Sequence, residues 1–199
     1  MVLGAALLGA ALMGVLMLLR ARDTQGDVQA ELQRRFAWTG CTLELERGMA
    51  NVNGYTNWNL RSANGGRPGG VLAFRGQVVS VSVFGLLRVP APAADRPLPA
   101  MPADPEECAA AETAVSAIYA IWPDRPWRPG DLVVESVVAL DSPSLRKQGI
   151  HEDAVTLSLP RGTIPGASRV FVAVRADRRL SYLAISELMP ELKTRGPHG

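Results

Sequence analysis

An uninterrupted apolar run at the N-terminus constrains this chain more than any other feature of its sequence. Residues 2–19 contain no charged or polar side chain. As a helix they would be about 27 Å long, close to the hydrocarbon thickness of a bilayer. The run holds seven Leu and two Val, and each of these residues favours the bilayer centre by about 0.3–0.6 kcal/mol. The sequence therefore predicts a transmembrane anchor at 1–22.

The flanks of this run favour an uncleaved anchor over a secretory signal. No basic side chain precedes the run, and no Ala-x-Ala cleavage site follows it. Small residues recur at four-residue spacing along the predicted helix, which allows a second helix to approach closely. The predicted helix-packing residues are Ala5, Gly9, Ala10 and Gly14.

The charges next to the run predict an orientation. Arg20 and Arg22 follow it and no Lys or Arg precedes it, so the positive-inside rule places the downstream part in the cytoplasm. The expected location is a single pass through an inner, cytoplasmic-type membrane. A periplasmic placement is the alternative, because Cys41 and Cys108 could form a disulfide in an oxidising compartment.

The predicted fold class is α+β, with a single N-terminal transmembrane helix followed by a β-rich soluble region that has one clear amphipathic helix. Six prolines in 89–105 fix φ and remove hydrogen-bond donors, which is typical of an extended spacer. The predicted segments are the transmembrane anchor at 1–22, a helix plus β-rich subdomain with a long Asn/Gly loop at 23–88, the Pro-rich spacer at 89–105, an α+β subdomain at 106–190 and a flexible tail at 191–199.

Two segments have the features of helices. Residues 25–36 place Val28, Leu32 and Phe36 on one face. Residues 105–122 follow Asp104, a residue suited to the N-cap, and begin with a proline, which suits the first helical position. In contrast, 51–70 is rich in Asn and Gly and predicts a long loop that carries two large aromatic residues.

Short alternating runs predict half-buried strands. In 77–84 three valines alternate with two serines and Phe84, and in 168–175 three valines alternate with Phe171, Ala173 and Arg175. Because strand side chains alternate between faces, each run predicts one apolar face and one opposite face. Further strands are predicted at 41–46, 71–75, 132–140, 154–159 and 180–186.

The sequence contains no recognisable catalytic motif. It has no Gly-x-Ser-x-Gly elbow, Walker loop, His-Glu-x-x-His or Cys-x-x-Cys. His151, followed by two acidic residues, is interpreted as part of a polar turn. The formal net charge of +2 argues against a nucleic-acid partner, which usually requires a clustered basic face. We therefore expect no catalytic residue, no metal site, no cofactor and no enzymatic activity.

These features together predict a non-catalytic accessory or structural subunit of a multi-subunit membrane complex, such as a respiratory or photosynthetic assembly. Its expected partners are other transmembrane subunits and the lipid bilayer. Aromatic residues dominate interface energetics, so the predicted interface residues are Tyr55, Trp58 and Trp127. The alternative function is a membrane-tethered periplasmic binding or assembly factor of an envelope machine.

Overall fold

The dominant element of the fold is one antiparallel β-sheet of eight strands. The computed structural model describes residues 25–47, 54–140, 142–160 and 168–185. The strands are β1 (Thr42–Leu45), β2 (Tyr55–Arg61), β3 (Gly69–Phe74), β4 (Gln77–Arg88), β5 (Val133–Ala139), β6 (Glu152–Ser158), β7 (Arg169–Arg175) and β8 (Arg179–Ile185). The helices are α1 (25–35), α2 (Pro105–Ile121) and α3 (Pro143–Lys147), with a 3-10 turn at Ala37–Thr39.

The strand order shows that the chain contains two similarly built units. The order across the sheet is β1-β2-β3-β4-β8-β7-β6-β5. Each unit is a helix, α1 or α2, followed by four strands in chain order, and the units meet where β4 pairs antiparallel with β8. An approximate twofold axis perpendicular to the sheet between β4 and β8 therefore relates them. The division into subdomains at 23–88 and 106–190 stays a prediction.

The two helices α1 and α2 cover one face of the sheet and form a single hydrophobic core with it. Leu32 and Phe36 come from the first unit, and Ile118 from α2; all three are fully buried in the same cluster. Helix α2 packs across β5, β6, β7 and β8. The other large side chains that are almost completely buried are Trp58, Leu43, Leu60, Ile121, Leu157, Leu180, Leu183, Ile185 and Val71.

Polar contacts also join the two units on the helix side. The Arg35 guanidinium donates to the carbonyl of Ile121 (3.3 Å), at the C-terminal end of α2. The neighbouring Arg34 forms an ion pair with Asp124, just beyond that end. A cation near a helix C-terminus interacts favourably with the helix dipole and with carbonyls that lack an intrahelical partner.

Helix α2 confirms the helix predicted from 105. The Asp104 carboxylate accepts hydrogen bonds from the backbone N–H groups of Glu106 (2.9 Å) and Glu107 (3.0 Å), which is the N-cap geometry expected. The buried surface of α2 is, however, broader than the single apolar stripe of an amphipathic helix. Thr113 and Ser116 are also buried, and each hydroxyl donates to the carbonyl four residues earlier.

The predicted fold class is wrong for the part of the chain that the structure describes. That part is mainly one antiparallel sheet with few helices. Across 25–47, 54–140, 142–160 and 168–185, no helix is both long enough and apolar enough to cross a membrane. The described fold therefore gives no support to the description of this chain as a single-pass membrane protein or as a subunit of a membrane complex. The anchor predicted at 1–22, with its packing residues Ala5, Gly9, Ala10 and Gly14, lies outside the described residues.

The loop predicted over 51–70 is also corrected, because β2 occupies Tyr55–Arg61. Its residues alternate between the core face and the opposite face even though two of them are Asn. The loop between β2 and β3 is therefore shorter than predicted and comprises residues 62–68. Within it, the N–H of Ser62 donates to the carbonyl of Gly66 (2.9 Å). Strand β3 then begins with Gly69, where a Cβ atom would lie 2.1 Å from the carbonyl oxygen of Ser82 on β4. Glycine is required there by the close approach of the two strands.

Candidate binding surface

The sheet face opposite α1 and α2 is the candidate functional site, and we call it the open face. Its residues are identified by the strand register, since directly opposed residues lie on the same face. Tyr182 of β8 is opposed to Ser82 of β4 and to Ala173 of β7, and Ala184 is opposed to Ser80 and to Phe171. Small side chains thus form most of the centre of this face, and large aromatic side chains stand out from it.

Three aromatic side chains form a diagonal across the centre of the open face. Phe84 of β4, Tyr182 of β8 and Phe171 of β7 are 87%, 38% and 41% exposed. On β4, Phe84 lies two residues after Ser82, which is opposed to Tyr182, within the stretch between Ser82 and Leu87 where the register with β8 shifts. On β7, Phe171 lies two residues before Ala173, which is also opposed to Tyr182. Diagonal neighbours on adjacent strands are within reach of aromatic side chains. The three residues, which we call the aromatic diagonal, therefore lie on the same face of three neighbouring strands.

The aromatic diagonal crosses the junction between the two units. Phe84 belongs to the first unit, whereas Tyr182 and Phe171 belong to the second. The patch consequently exists only when β4 and β8 are paired, and neither unit alone contains it.

Cross-strand ion pairs flank the aromatic diagonal on both sides. On the β1 side, Arg61 contacts Glu44 (2.9 Å). On the β5 side, Arg175 contacts Glu152 (3.1 Å). An exposed pair such as Arg61 and Glu44 contributes only about 0.2–1 kcal/mol to stability. The arrangement of the two pairs gives the open face an apolar centre and a charged rim, as in protein–protein interfaces.

A second aromatic pair lies towards one end of the first unit. Tyr55 on β2 is opposed to Phe74 on β3, and their ring centroids are 4.6 Å apart. The guanidinium carbon of Arg75 lies 5.0 Å from the centroid of the Phe74 ring. Tyr55, predicted as an interface residue, is therefore half-buried on the open face, where its ring is tilted against that of Phe74.

The other two predicted interface residues lie in the core. Trp58 is 1% exposed, and its indole N–H donates to the Thr56 hydroxyl (2.9 Å). Trp127 is 8% exposed, and its indole N–H donates to the carbonyl of Trp122 (3.2 Å). The interface roles of these residues stay predictions, but burial of this kind favours packing within their own chain.

Sequence reasoning missed the aromatic diagonal as a site, although the relevant signal was present. The alternation with valine assigns Phe84 and Phe171 to the face opposite the apolar one. The alternation does not indicate whether another layer of the protein covers that face. Only the positions of α1 and α2 on the other side reveal that these aromatic side chains are exposed.

The titratable residues do not converge on the open face. Burial raises the pKa of Asp153, with a further increase from Glu106 and a smaller opposing effect of His151. Asp153 is opposed to Val174, a core residue, so it lies on the helix side of the sheet. Cys41 and Cys108 are free thiols. Among the described residues, no group of His, Cys, Asp and Glu side chains is arranged to hold a metal ion.

Comparisons with known proteins give no relative from which a role could be transferred. No protein-family model, no curated protein and no solved structure matches this chain.

Proposed function

We propose that this chain is a non-catalytic binding protein that holds the surface of another protein on its open face. The observation that carries the proposal is the aromatic diagonal. Exposed Phe and Tyr side chains on three neighbouring strands make an apolar patch, and patches of this kind with a polar rim mark interaction sites. Aromatic anchors near the centre of an interface supply a large share of its binding energy.

The chemistry of the open face specifies the partner surface. The centre requires an apolar surface that can pack between protruding rings and fill the space over the small residues beside them. The rim carries both Arg and Glu, so the partner needs charges of both signs around its apolar centre. A strongly acidic or strongly basic partner would not match such a rim.

The magnitudes indicate how much of the face must take part. Covering the exposed parts of the three rings would remove roughly 300 Å² of aromatic surface from water, worth about 7 kcal/mol. Association itself costs about 4–15 kcal/mol. The aromatic diagonal alone would therefore give weak binding, and a stable complex needs about 800 Å² on this chain. A contact of that size would extend over the flanking strands as well.

Photo-crosslinking tests the proposal most simply. A photoreactive amino acid replaces Tyr182 in one variant and Phe171 in another, and the full chain is expressed in its native host. A matched control carries the same group at Leu98, which is 52% exposed but lies in the connection between β4 and α2. We expect one partner to be captured from both open-face positions and not from the control. Equal capture from the control, or none from the open face, would contradict the proposal.

The accessory-subunit role and the periplasmic alternative from the sequence stay predictions, as does the absence of enzymatic activity. Of the interface residues predicted for the accessory-subunit role, Tyr55 lies on the open face. The present proposal needs no particular location of the chain, because it depends only on the described sheet.

A further inference from the structure

The two edges of the sheet are treated differently by the rest of the chain. At the β1 edge, the Gln33 amide accepts from the N–H of Leu43 (2.8 Å) and donates to the carbonyl of Cys41 (2.8 Å). Gln29 donates to the carbonyl of Leu43 (2.9 Å). Two glutamines of α1 thus occupy the outward N–H and C=O of Leu43 and the carbonyl of Cys41, which are backbone groups that an added strand would use. The β1 edge is closed by these side chains.

The β5 edge has no comparable closure among the described residues. The N–H of Leu140 donates to the carbonyl of Glu152 (2.8 Å), so the alternation of an antiparallel ladder directs Val138 and Ser136 towards β6 as well. Val137 and Ala139 then point their N–H and C=O groups away from the sheet. Within the described ranges no hydrogen bond reaches those outward groups.

The side chains of this edge are apolar and exposed. Val138 is 58% and Leu140 is 39% exposed. The register shift between Val134 and Ser136 makes Glu135 a bulge, so regular pairing is available only from Ser136 onwards. Segment 136–140 contains no charged residue. Apolar, open edges are sites at which another strand adds to a sheet.

We propose that β5 pairs with β5 of a second copy of this chain, antiparallel, about a twofold axis through Val138. This register follows from the alternation along β5, in which Val137 and Ala139 point their backbone N–H and C=O groups away from the sheet. Val137 exchanges two hydrogen bonds with Ala139 of the second copy, and Val138 faces its own counterpart as a pair without hydrogen bonds. Ser136 faces Leu140. The exposed side chains of Val138 and Leu140 are covered by this arrangement.

The choice of a second copy follows from the contrast between the edges. Pairing of β5 with β1 of the next molecule would be a head-to-tail contact and would generate an open filament. Gln29 and Gln33 of α1, which are bonded to the outward backbone groups of Leu43 and Cys41, oppose that contact. Pairing of β5 with itself closes after two molecules and leaves only the two capped β1 edges. Segment 136–140 also places no like charges opposite each other, and Glu135 beside it is already paired with Arg169 (3.1 Å).

The dimer would present both open faces on one side. An axis perpendicular to the sheet, required for antiparallel pairing in one continuous sheet, keeps equivalent faces together. The two eight-stranded sheets would join into one of sixteen strands with two aromatic diagonals. The dimer itself does not depend on the proposed function, because β5 is the edge strand of the second unit and carries none of the three residues of the aromatic diagonal.

Disulfide formation tests the register in the full chain. Val138→Cys is made in a Cys108→Ser background. The matched control is Val133→Cys in the same background, because Val133 is 48% exposed. Opposed residues without hydrogen bonds have Cα atoms about 4.5 Å apart, within the range of a disulfide. In the proposed register Val133 lies about 34 Å from its counterpart along the strand. We expect mild oxidation to give a covalent dimer from the first variant and a monomer from the second.

A proline variant tests the same edge without a new thiol. Ala139→Pro removes an N–H that points away from the sheet, and proline is accepted on edge strands when its missing donor faced outwards. Each dimer loses two hydrogen bonds, which should weaken dimerisation about tenfold or more. Ala139→Thr keeps the N–H and should dimerise as the native chain does. Sedimentation velocity is measured in a mild detergent that shields residues 2–19.

Several results would overturn the proposal. A native chain that stays monomeric at high concentration would do so, as would a Val138→Cys variant that gives no covalent dimer. Equal cross-linking of Val133→Cys would show that the contacts lack the proposed register. A dimer that survives Ala139→Pro unchanged, with circular dichroism confirming the native fold, would place the interface elsewhere.

Discussion

Replacement of Gln33 by Ala tests how the β1 edge is held. The native amide makes two hydrogen bonds of 2.8 Å, one with the N–H of Leu43 and one with the carbonyl of Cys41. Each bond contributes about 0.5–1.5 kcal/mol net, so the variant should lose about 1–3 kcal/mol of unfolding free energy. For a domain of this size that corresponds to a fall in Tm of about 2–12 °C.

The assay is chemical denaturation of the native chain and the variant, followed by tryptophan fluorescence. Gln33→Glu is the matched control, because an ionised Glu can still accept from Leu43 but cannot donate to Cys41. Its stability at neutral pH should lie between those of the native chain and Gln33→Ala. Since Ala also opens the β1 edge, that variant should form larger assemblies at high concentration. Unchanged stability together with unchanged assembly would refute the account of this edge.

Four further predictions concern the stability of the fold. Asp104→Ala removes the acceptor at the start of α2 and should cost about 0.5–2 kcal/mol, whereas Asn at this position should retain most of the cap; thermal melts compare the two. Gly69→Ala would place a Cβ atom 2.1 Å from the Ser82 oxygen and should destabilise the chain by about 1–3 kcal/mol or prevent folding. In Gly26→Ala, the added Cβ atom on α1 meets no other atom within 4 Å, and the variant should be more stable than the native chain by about 0.5–1 kcal/mol. Denaturation midpoints measure the effects of the Gly69 and Gly26 substitutions. Burial raises the pKa of Asp153, so the folded state binds its proton more tightly than the unfolded chain does. The unfolding free energy should then fall as pH rises above the ordinary carboxyl range, and Asp153→Asn should flatten this dependence in a pH series of unfolding curves.

Elements with strong local signals could be predicted from the sequence. Helix α2 has an N-cap residue, a proline at its first position and a proline after its end, and all these signals act within a few residues of one another. The alternation of valines likewise predicted β4 and β7 correctly. In β2 the Asn residues favoured a loop, but burial of Trp58 and Leu60 between neighbouring strands outweighs that local preference.

The arrangement of the strands could not be predicted in the same way. Pairing of β4 with β8 opposes Ser80 to Ala184, residues far apart in the chain, and no local pattern specifies such a contact. The two similarly built units have no visible sequence repeat. The candidate site depends on this junction, because Phe84 and Tyr182 become neighbours only when the junction forms. Their exposure depends in turn on both main helices lying on the opposite face.

Oxidative footprinting of the open face tests the central claim most directly. The full chain is exposed to hydroxyl radicals alone and in the complex isolated from its native host, and the oxidation of single residues is measured by mass spectrometry. The account predicts that Phe84, Tyr182 and Phe171 all become protected in the complex, whereas Leu98 is oxidised equally in both samples. Equal oxidation of the three aromatic residues in both samples, or protection confined to Leu98, would contradict it.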